Sequence, residues 1–295
     1  AQGELGRCRD ASPAWVMPLY RVFESVKPAP GIFDVVIVDD ASQCGPESLI
    51  LFYLAKKIIV VGDDKQISPS NIGIDKDQAK SLLRQHLEGI ELADTFDVDS
   101  SLFDHGQVRL GKRITLHEHF RCMPEIIRFS NDLCYKGALI PLRQYPPKRL
   151  APYVARRTPD GKREGGPQSA KNQAEAEAIV DAIAACCADP MYKDKTMGVI
   201  SLLGEHQAKL IERLLLKRIG AEEIERRRMV CGDAYSFQGD ERHIILLSLV
   251  VAVKDDESRG FASLTKLSDR QRFNVAASRA QDQLWLFHSI MPEDV

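Results

Sequence analysis

Two pairs of adjacent aspartates stand at the ends of apolar runs, where carboxylates can serve metal and phosphate chemistry. Val35 to Val38 stops at Asp39 and Asp40, and Ile58 to Val61 stops at Gly62, Asp63 and Asp64. Short continuous apolar runs of this kind read as fully buried strands of a parallel sheet. In an open α/β sheet, ligands gather beyond the carboxyl ends of the strands, so both acidic tips would face one crevice. Two carboxylate-bearing tips in one crevice suggest a metal ion and a phosphate.

The elements that must position these tips are readable from periodicity. Leu49, Ile50, Tyr53 and Leu54 recur at helical spacing, which predicts a crossover helix over Pro46 to Lys57 that returns the chain to a parallel strand. Beyond residue 112 the pattern is a repeated strand and helix. A short strand is predicted at Ile114 to Leu116, a helix from Pro124, and a helix through Ala174 to Cys186. Further strands are predicted at Met197 to Ser201, Met229 to Cys231, Ile244 to Val250 and Leu284 to Phe287, with helices around Ile211 to Ile219 and over Gln271 to Ala280. Residues 141–171 are rich in Pro, Gly and Arg and read as an exposed, mobile excursion.

With these elements in place, a family resemblance becomes visible. DDASQ and then GDDKQISP are similar to motifs II and III of superfamily 1 DNA/RNA helicases, whose usual forms are DEAxQ and GDxxQLxP. HFRCMPEII resembles motif IV, SFQGDE motif V, and FNVAASRA motif VI, in the family's order. Any one of these would be weak, and five in sequence are strong. The DDASQ form and the SRAQDQLWLFHS ending resemble the branch that includes Dna2- and Nam7-type helicases. The resemblance implies two RecA-like parallel-sheet lobes of the P-loop NTPase fold, an α/β architecture. Residues 1–112 would be the later part of the first lobe, truncated at its N-terminus, and residues 113–295 the second. The GxxxxGK[ST] phosphate loop, which lies upstream of motif II in the family, does not occur in the chain.

The same resemblance assigns expected roles. ATP and Mg2+ would be the cofactors, with Asp39 holding magnesium. Asp40 stands where a Glu usually activates the attacking water, and its carboxylate is set back by one C–C bond, about 1.5 Å. Gln66 would sense the γ-phosphate, while Arg121 and Arg279 would meet it with planar paired donors. Gln43, Gly62, Asp63, Gln238, Gly239, Glu241 and Asn274 complete the set expected on the nucleotide side. Gly239 would let backbone approach a phosphate or a strand, Glu241 would reach the ribose or brace Arg279, and Asn274 would order the motif VI helix or its contacts. The expected partner is single-stranded DNA or RNA, gripped through its phosphates, and in some members of the branch a nuclease-like domain follows the motor.

Bulk properties bound these expectations. A chain of 295 residues with 44% hydrophobic and 28% charged residues has room for two globular domains. Its net charge of −2 does not announce a nucleic-acid binder. The tightest basic cluster, Arg226 to Arg228, reads as a solvated loop before a strand. Seven cysteines without a CxxC pair read as reduced core residues, and the cytoplasm is the expected compartment. His117, His119 and Cys122 lack a fourth zinc ligand at suitable spacing.

Two rival readings stay open at this stage. One is a non-catalytic nucleic-acid-binding or scaffolding module derived from a helicase. The other is a metal-dependent nuclease using Asp39, Asp40 and Asp63, which would cleave DNA with magnesium and without ATP. Because the backbone cradle of the phosphate loop supplies much of the phosphate binding in this fold, the chain by itself should bind ATP weakly and hydrolyse little. An ATP titration with a phosphate-release assay checks this, and measurable turnover at ordinary ATP concentrations contradicts it. An upstream extension should restore affinity in the motor reading and leave it weak in the scaffolding one.

Overall fold

A computed structural model describes residues 12–68, 75–166, 169–252 and 266–291. Packing divides the chain into a smaller unit that runs to Ile114 and a larger unit from Thr115 onward, and Lys65–Ile67 pack with the larger one.

In the smaller unit, α1 (Leu19–Ser25) is followed by β1 (Phe33–Val38), short 3-10 turns at Ala41–Gln43 and Pro46–Leu49, and α2 (Ile50–Leu54). Then come β2 (Ala55–Val60), α3 (Lys76–Leu87) and α4 (Leu102–Leu110). β1 and β2 pair in parallel, with Val36 opposite Ile58 and Val38 opposite Val60. The crossover predicted as one helix over Pro46 to Lys57 is shorter: Pro46 opens a 3-10 turn, the α-helix ends at Leu54, and Ala55 already begins the strand. Lys56 and Lys57 are therefore strand residues, and Lys56 pairs with Asp34 of β1 at 2.8 Å.

Full burial of these strands does not hold either. Val36, Ile58 and Val60 pack against the core of Leu51, Leu54, Leu102 and Phe103, while Val35, Ile37 and Ile59 are exposed. Among the described residues the sheet has two strands and one covered face, so alternate apolar side chains meet water. α4 begins with a capping box in which Ser101 and Asp104 satisfy each other's backbone N–H, a feature typically contributing about 1 kcal/mol. The Leu102 N–H donates to the Cys44 carbonyl at 2.8 Å and fastens α4 to the loop after β1.

The larger unit begins with β3 (Glu118–His119), α5 (Pro124–Cys134) and β4 (Ile140–Pro141). It continues through β5 (Tyr153–Arg157), α6 (Gln173–Ala188), β6 (Met197–Ser201), α7 (Glu205–Arg226) and β7 (Val230–Asp233), and closes with β8 (Arg242–Ser248), α8 (Leu267–Ala277) and β9 (Ala280–His288). Five parallel strands form one sheet in the order β5-β9-β8-β6-β7. One face carries a core shared with α6 and α7, including Ile179, Ile183, Met197, Ile211 and Phe287. The other carries a core shared with α5 and α8, including Ile126, Phe237, Ile245, Val275 and Leu284. Covered on both faces, the sheet is apolar along whole strands, and β6 is buried at every position.

The larger unit departs from the sequence pattern at three places. Ile114 and Leu116 are exposed rather than in a strand, and pairing begins at Glu118, opposite Ile140. Within 141–171, Tyr153–Arg157 is an edge strand in register with Leu284–His288 of β9. An edge strand with one wet face carries arginines without an apolar run, which hid it among loop residues. Arg227 is not a solvated loop residue: it is buried, pairs with Glu223 at 2.5 Å, and donates to the carbonyls of Tyr192 and Lys195.

At the carboxyl ends of β8 and β9, the fully buried Glu175 of α6 accepts hydrogen bonds from Ser248 Oγ (2.8 Å), the Val250 N–H (2.8 Å) and Ser289 Oγ (3.1 Å). Val250 sits at φ +66°, a conformation rare for a β-branched residue that persists where surrounding bonds impose it. Burial pushes the Glu175 carboxyl up to about 7, outweighing these hydrogen bonds, which pull it down. A carboxyl with a raised folded pKa binds its proton more tightly in the folded state. Its stabilising contribution is therefore complete below about pH 4.5, the ordinary Glu value, and is lost as pH rises through 7. The expected loss across that window is on the order of 3 kcal/mol. Urea denaturation of the wild type and Glu175→Gln from pH 4.5 to 8 should show the difference between them drifting by that amount, and a pH-independent difference would contradict it.

Candidate functional site

The acidic tips behave as one structure within the smaller unit. The Val61 N–H donates to the Val38 carbonyl, and the Ala41 N–H to the Val61 carbonyl, each at 2.8 Å, so the loops leaving β1 and β2 continue the ladder. The Asp63 N–H donates to Ser42 Oγ at 3.2 Å and closes the second loop on the first. Asp39 and Asp40 are both exposed beyond β1. Asp40 adopts the left-handed region at φ +49°, which an Asp tolerates better than most residues, and its N–H donates to Asp39 Oδ1 at 3.0 Å. The Gln43 N–H returns to the Asp40 carbonyl at 2.9 Å and completes the 3-10 turn. Gly62 is required by space: a Cβ there would lie 2.7 Å from the Phe103 ring and 3.0 Å from the Ser42 nitrogen.

Gln66, Arg121, Gln238, Gly239, Glu241, Asn274 and Arg279 belong to the larger unit. Arg279, at the turn between α8 and β9, is 2% exposed. Its Nε donates to the Val275 carbonyl (3.2 Å), Nη1 to the Asp240 carbonyl (3.4 Å) and Nη2 to Gln66 Oε1 (3.2 Å). Asn274, one turn earlier and fully buried, donates through Nδ2 to the Lys65 carbonyl and to the Tyr135 hydroxyl, each at 2.9 Å. Ile67 is buried in the core with Cys122, Met123 and Ile126. The Lys65–Ile67 segment is thus held by the helix and turn that carry FNVAASRA. Among the described residues, Asn274 Oδ1 and Gln238 Nε2 are buried polar atoms without a hydrogen-bond partner.

Arg121 sits elsewhere in the same unit and has a different partner. Its Nε meets Glu241 Oε2 at 2.5 Å, and Glu241 Oε1 accepts from Gln281 Nε2 at 2.5 Å. Glu241, expected to reach a ribose or brace Arg279, is bonded directly to Arg121, and the Arg279 charge acts on it as well. Burial raises the Glu241 carboxyl, but the Arg121 hydrogen bond and charge outweigh it and hold the group below its ordinary value. Gly239 has φ +75° with open space where a side chain would lie, so its backbone is uncovered.

The loop carrying Arg121 is neutral apart from that guanidinium. Burial, aided by the Arg121 charge, lowers His119 to about 4, and His119 Nε2 accepts the Cys122 N–H at 3.0 Å. Burial pushes the Cys122 thiol up to about 12. His117 Nδ1 lies 3.0 Å from the Ala138 carbonyl. These contacts occupy the residues in ordinary structural bonds. Motif spacing did not point to Tyr135, Arg143, Gln281 or Asp282, which touch the site residues or their backbone. Only Gln281 and Asp282, directly after SRA, carried any signal.

Fold and site define the class: a doubly wound parallel α/β unit carrying the later motifs of a superfamily 1 helicase. A family model described as an AAA domain matches residues 98–290, and the chain belongs to that family. An uncharacterized ATP-dependent helicase of Mycoplasma genitalium is 29% identical over 279 residues, covering 90% of this chain and 24% of that protein. A 5'-3' DNA helicase of Mus musculus is 27% identical, covering 88% of this chain and 13% of its own length. Helicase SEN1 of Saccharomyces cerevisiae is 28% identical, covering 86% and 11%. The chain thus spans a quarter or less of these relatives. An arterivirus nonstructural protein 10 (helicase) structure with DNA covers 97% of this chain and 50% of its own, at 13% identity and a TM-score of 0.41, too loose a match to carry an argument.

The contacts around Gly62 give a direct test. Gly62→Ala should destabilise the protein by about 1–3 kcal/mol, because a methyl group there overpacks the Phe103 ring. Urea denaturation measures this, and adding Phe103→Leu should recover part of the loss. An unchanged midpoint for Gly62→Ala would show that the loop has room.

Proposed function

We propose that this chain is part of an ATP-driven superfamily 1 motor that translocates on single-stranded DNA or RNA. The observation that carries the reading is the attachment of Gln66 and the Lys65 carbonyl to Arg279 and Asn274, at 3.2 and 2.9 Å. A residue proposed to sense a phosphate is thereby bonded to a guanidinium proposed to neutralise one. A phosphate competing for Arg279 would release Gln66, so the motif III segment would register the state of the nucleotide.

In this proposal Asp39 would hold magnesium, and Asp40 would orient the attacking water and take up its proton. Arg121 and Arg279 offset the charge that develops on the departing phosphate. Gln43, Gly62 and Asp63 shape the acidic loops, and Gln238, Gly239, Glu241 and Asn274 serve the nucleotide side of the larger unit. When bound, ATP supplies the phosphoryl group for transfer to water. The residues fit such a cofactor in kind: exposed hard carboxylates at a strand tip, buried amides with unpartnered atoms, and arginines. Among the described residues, no cluster of three or more His, Cys, Asp or Glu side chains could hold a metal ion alone. Magnesium is usually held by one or two carboxylates together with phosphate oxygens and water.

The relatives' helicase names and the order of the five motifs support the reading. Strand contacts are proposed to be phosphate-directed and largely independent of sequence. The cysteine pattern supports the cytoplasm as the proposed compartment.

The test is strand-stimulated ATP hydrolysis by the whole protein, with single-stranded DNA and RNA compared. Arg279→Ala should lower kcat by roughly 10³-fold or more, as removal of a charge-neutralising arginine does in phosphoryl transfer. Gln66→Ala should weaken the stimulation by strand more than the basal rate. Strand binding with no hydrolysis, unaffected by Arg279→Ala, would overturn the motor reading in favour of a scaffolding module.

A further inference from the structure

The backbone of the loop that presents Arg121 is gripped by a residue outside all five motifs. Arg143 follows β4 by two residues, and β4 pairs with the β3 strand that leads into this loop. The Leu142 N–H donates to the His119 carbonyl at 2.8 Å. Arg143 Nη1 donates to the Arg121 carbonyl at 2.6 Å, and Nη2 donates to Asp282 Oδ1. Asp282 lies in β9, is buried, and takes a second cation at its other oxygen, Lys195 Nζ, at 2.7 Å. The far end of the loop is tied to the same strand, since the Met123 N–H donates to the Gln281 carbonyl at 2.9 Å.

We infer that Arg143 is a positioning residue for Arg121: its planar guanidinium bridges the Arg121 carbonyl to the buried Asp282 carboxylate and so fixes the Arg121 backbone against the sheet. The geometry distinguishes this role from general packing. A buried carboxylate needs compensating charge, and Lys195 already supplies one cation to Asp282. Among the described residues Lys195 Nζ bonds Asp282 and not the Arg121 loop, whereas Arg143 uses one nitrogen for the carboxylate and another for the loop. A guanidinium can make both bonds from one plane, which a lysine ammonium cannot reproduce. With the bridge gone, the Arg121 side chain keeps its charge and its Glu241 partner but loses the backbone anchor that aims it.

The inference rests on the proposed role of Arg121, and the experiment separates the two. In the whole protein, steady-state ATP hydrolysis is compared for Arg121→Ala, Arg143→Met, Arg143→Lys, Lys195→Met and the double variant Arg121→Ala with Arg143→Met. Arg143→Met should lower kcat by roughly 10- to 100-fold, the scale of a misplaced reacting group, with a smaller change in KM, and Arg143→Lys should recover only part of it. Lys195→Met should cost thermal stability while leaving kcat within about twofold, because it removes a partner of Asp282 without releasing the loop. In the Arg121→Ala background, Arg143→Met should have no further effect on kcat. If Arg121→Ala leaves hydrolysis intact, the proposed function of Arg121 falls. If Arg121→Ala abolishes the strand-stimulated rate but Arg143→Met does not lower it, or if Lys195→Met lowers kcat as much as Arg143→Met, the positioning inference falls.

Discussion

A buried guanidinium must have its N–H groups bonded, and that requirement at Arg279 organises the larger unit around the turn between α8 and β9. With 2% of its surface exposed, Arg279 leaves little N–H surface to water, and each unmet bond would carry a desolvation cost. Its acceptors include the Val275 carbonyl of its own helix, the Asp240 carbonyl before β8, and the Gln66 side chain. Satisfying one residue therefore draws three segments together. Asn274 reinforces the arrangement by taking the Lys65 carbonyl, so Lys65–Ile67 packs with the larger unit although it follows β2 in sequence.

The second arginine is placed by a different device. Arg121 lies on a loop whose ends are held by backbone bonds and whose guanidinium is partnered by Glu241 at 2.5 Å. This pair is partly exposed, at 33% and 43% of the two side chains, so it contributes modestly to stability and remains open to exchange with an incoming anion. Arg279 is held from all sides while Arg121 is anchored at its backbone and loosely paired at its tip. The two guanidinium groups thus differ in how fully they are enclosed, a difference that comes from the acceptors around them.

How much was legible depended on whether the controlling interaction was local. Met197–Ser201 could be read directly, because strands covered on both faces must be apolar at every position. α6 was readable from its repeat of small and aliphatic residues, and β1 and β2 from runs ending in acids. Tyr153–Arg157 was not readable: its place as the edge strand is set by pairing with β9, more than a hundred residues away, and its arginines resemble a loop. Full burial of β1 was inferred from its unbroken apolar run and failed at Val35 and Ile37, since cover on the second face is a property of neighbouring elements.

The order and identity of the candidate site side chains were determined by the sequence: paired carboxylates after strands, glutamines behind them, and arginines in recognisable settings. Residue types define what chemistry is available, and their spacing along strands and helices decides which tips they occupy. Partner choice was decided only in three dimensions. Glu241 was expected to reach a ribose or brace Arg279, and the fold bonds it to Arg121 and to Gln281 of β9. Arg143, in a stretch that looks like linker, comes within hydrogen-bonding reach of Asp282 of β9 only through the fold. Hydrogen bonds and ion pairs act over about 3 Å, and no pattern along a chain records which distant residues the fold will bring within that reach.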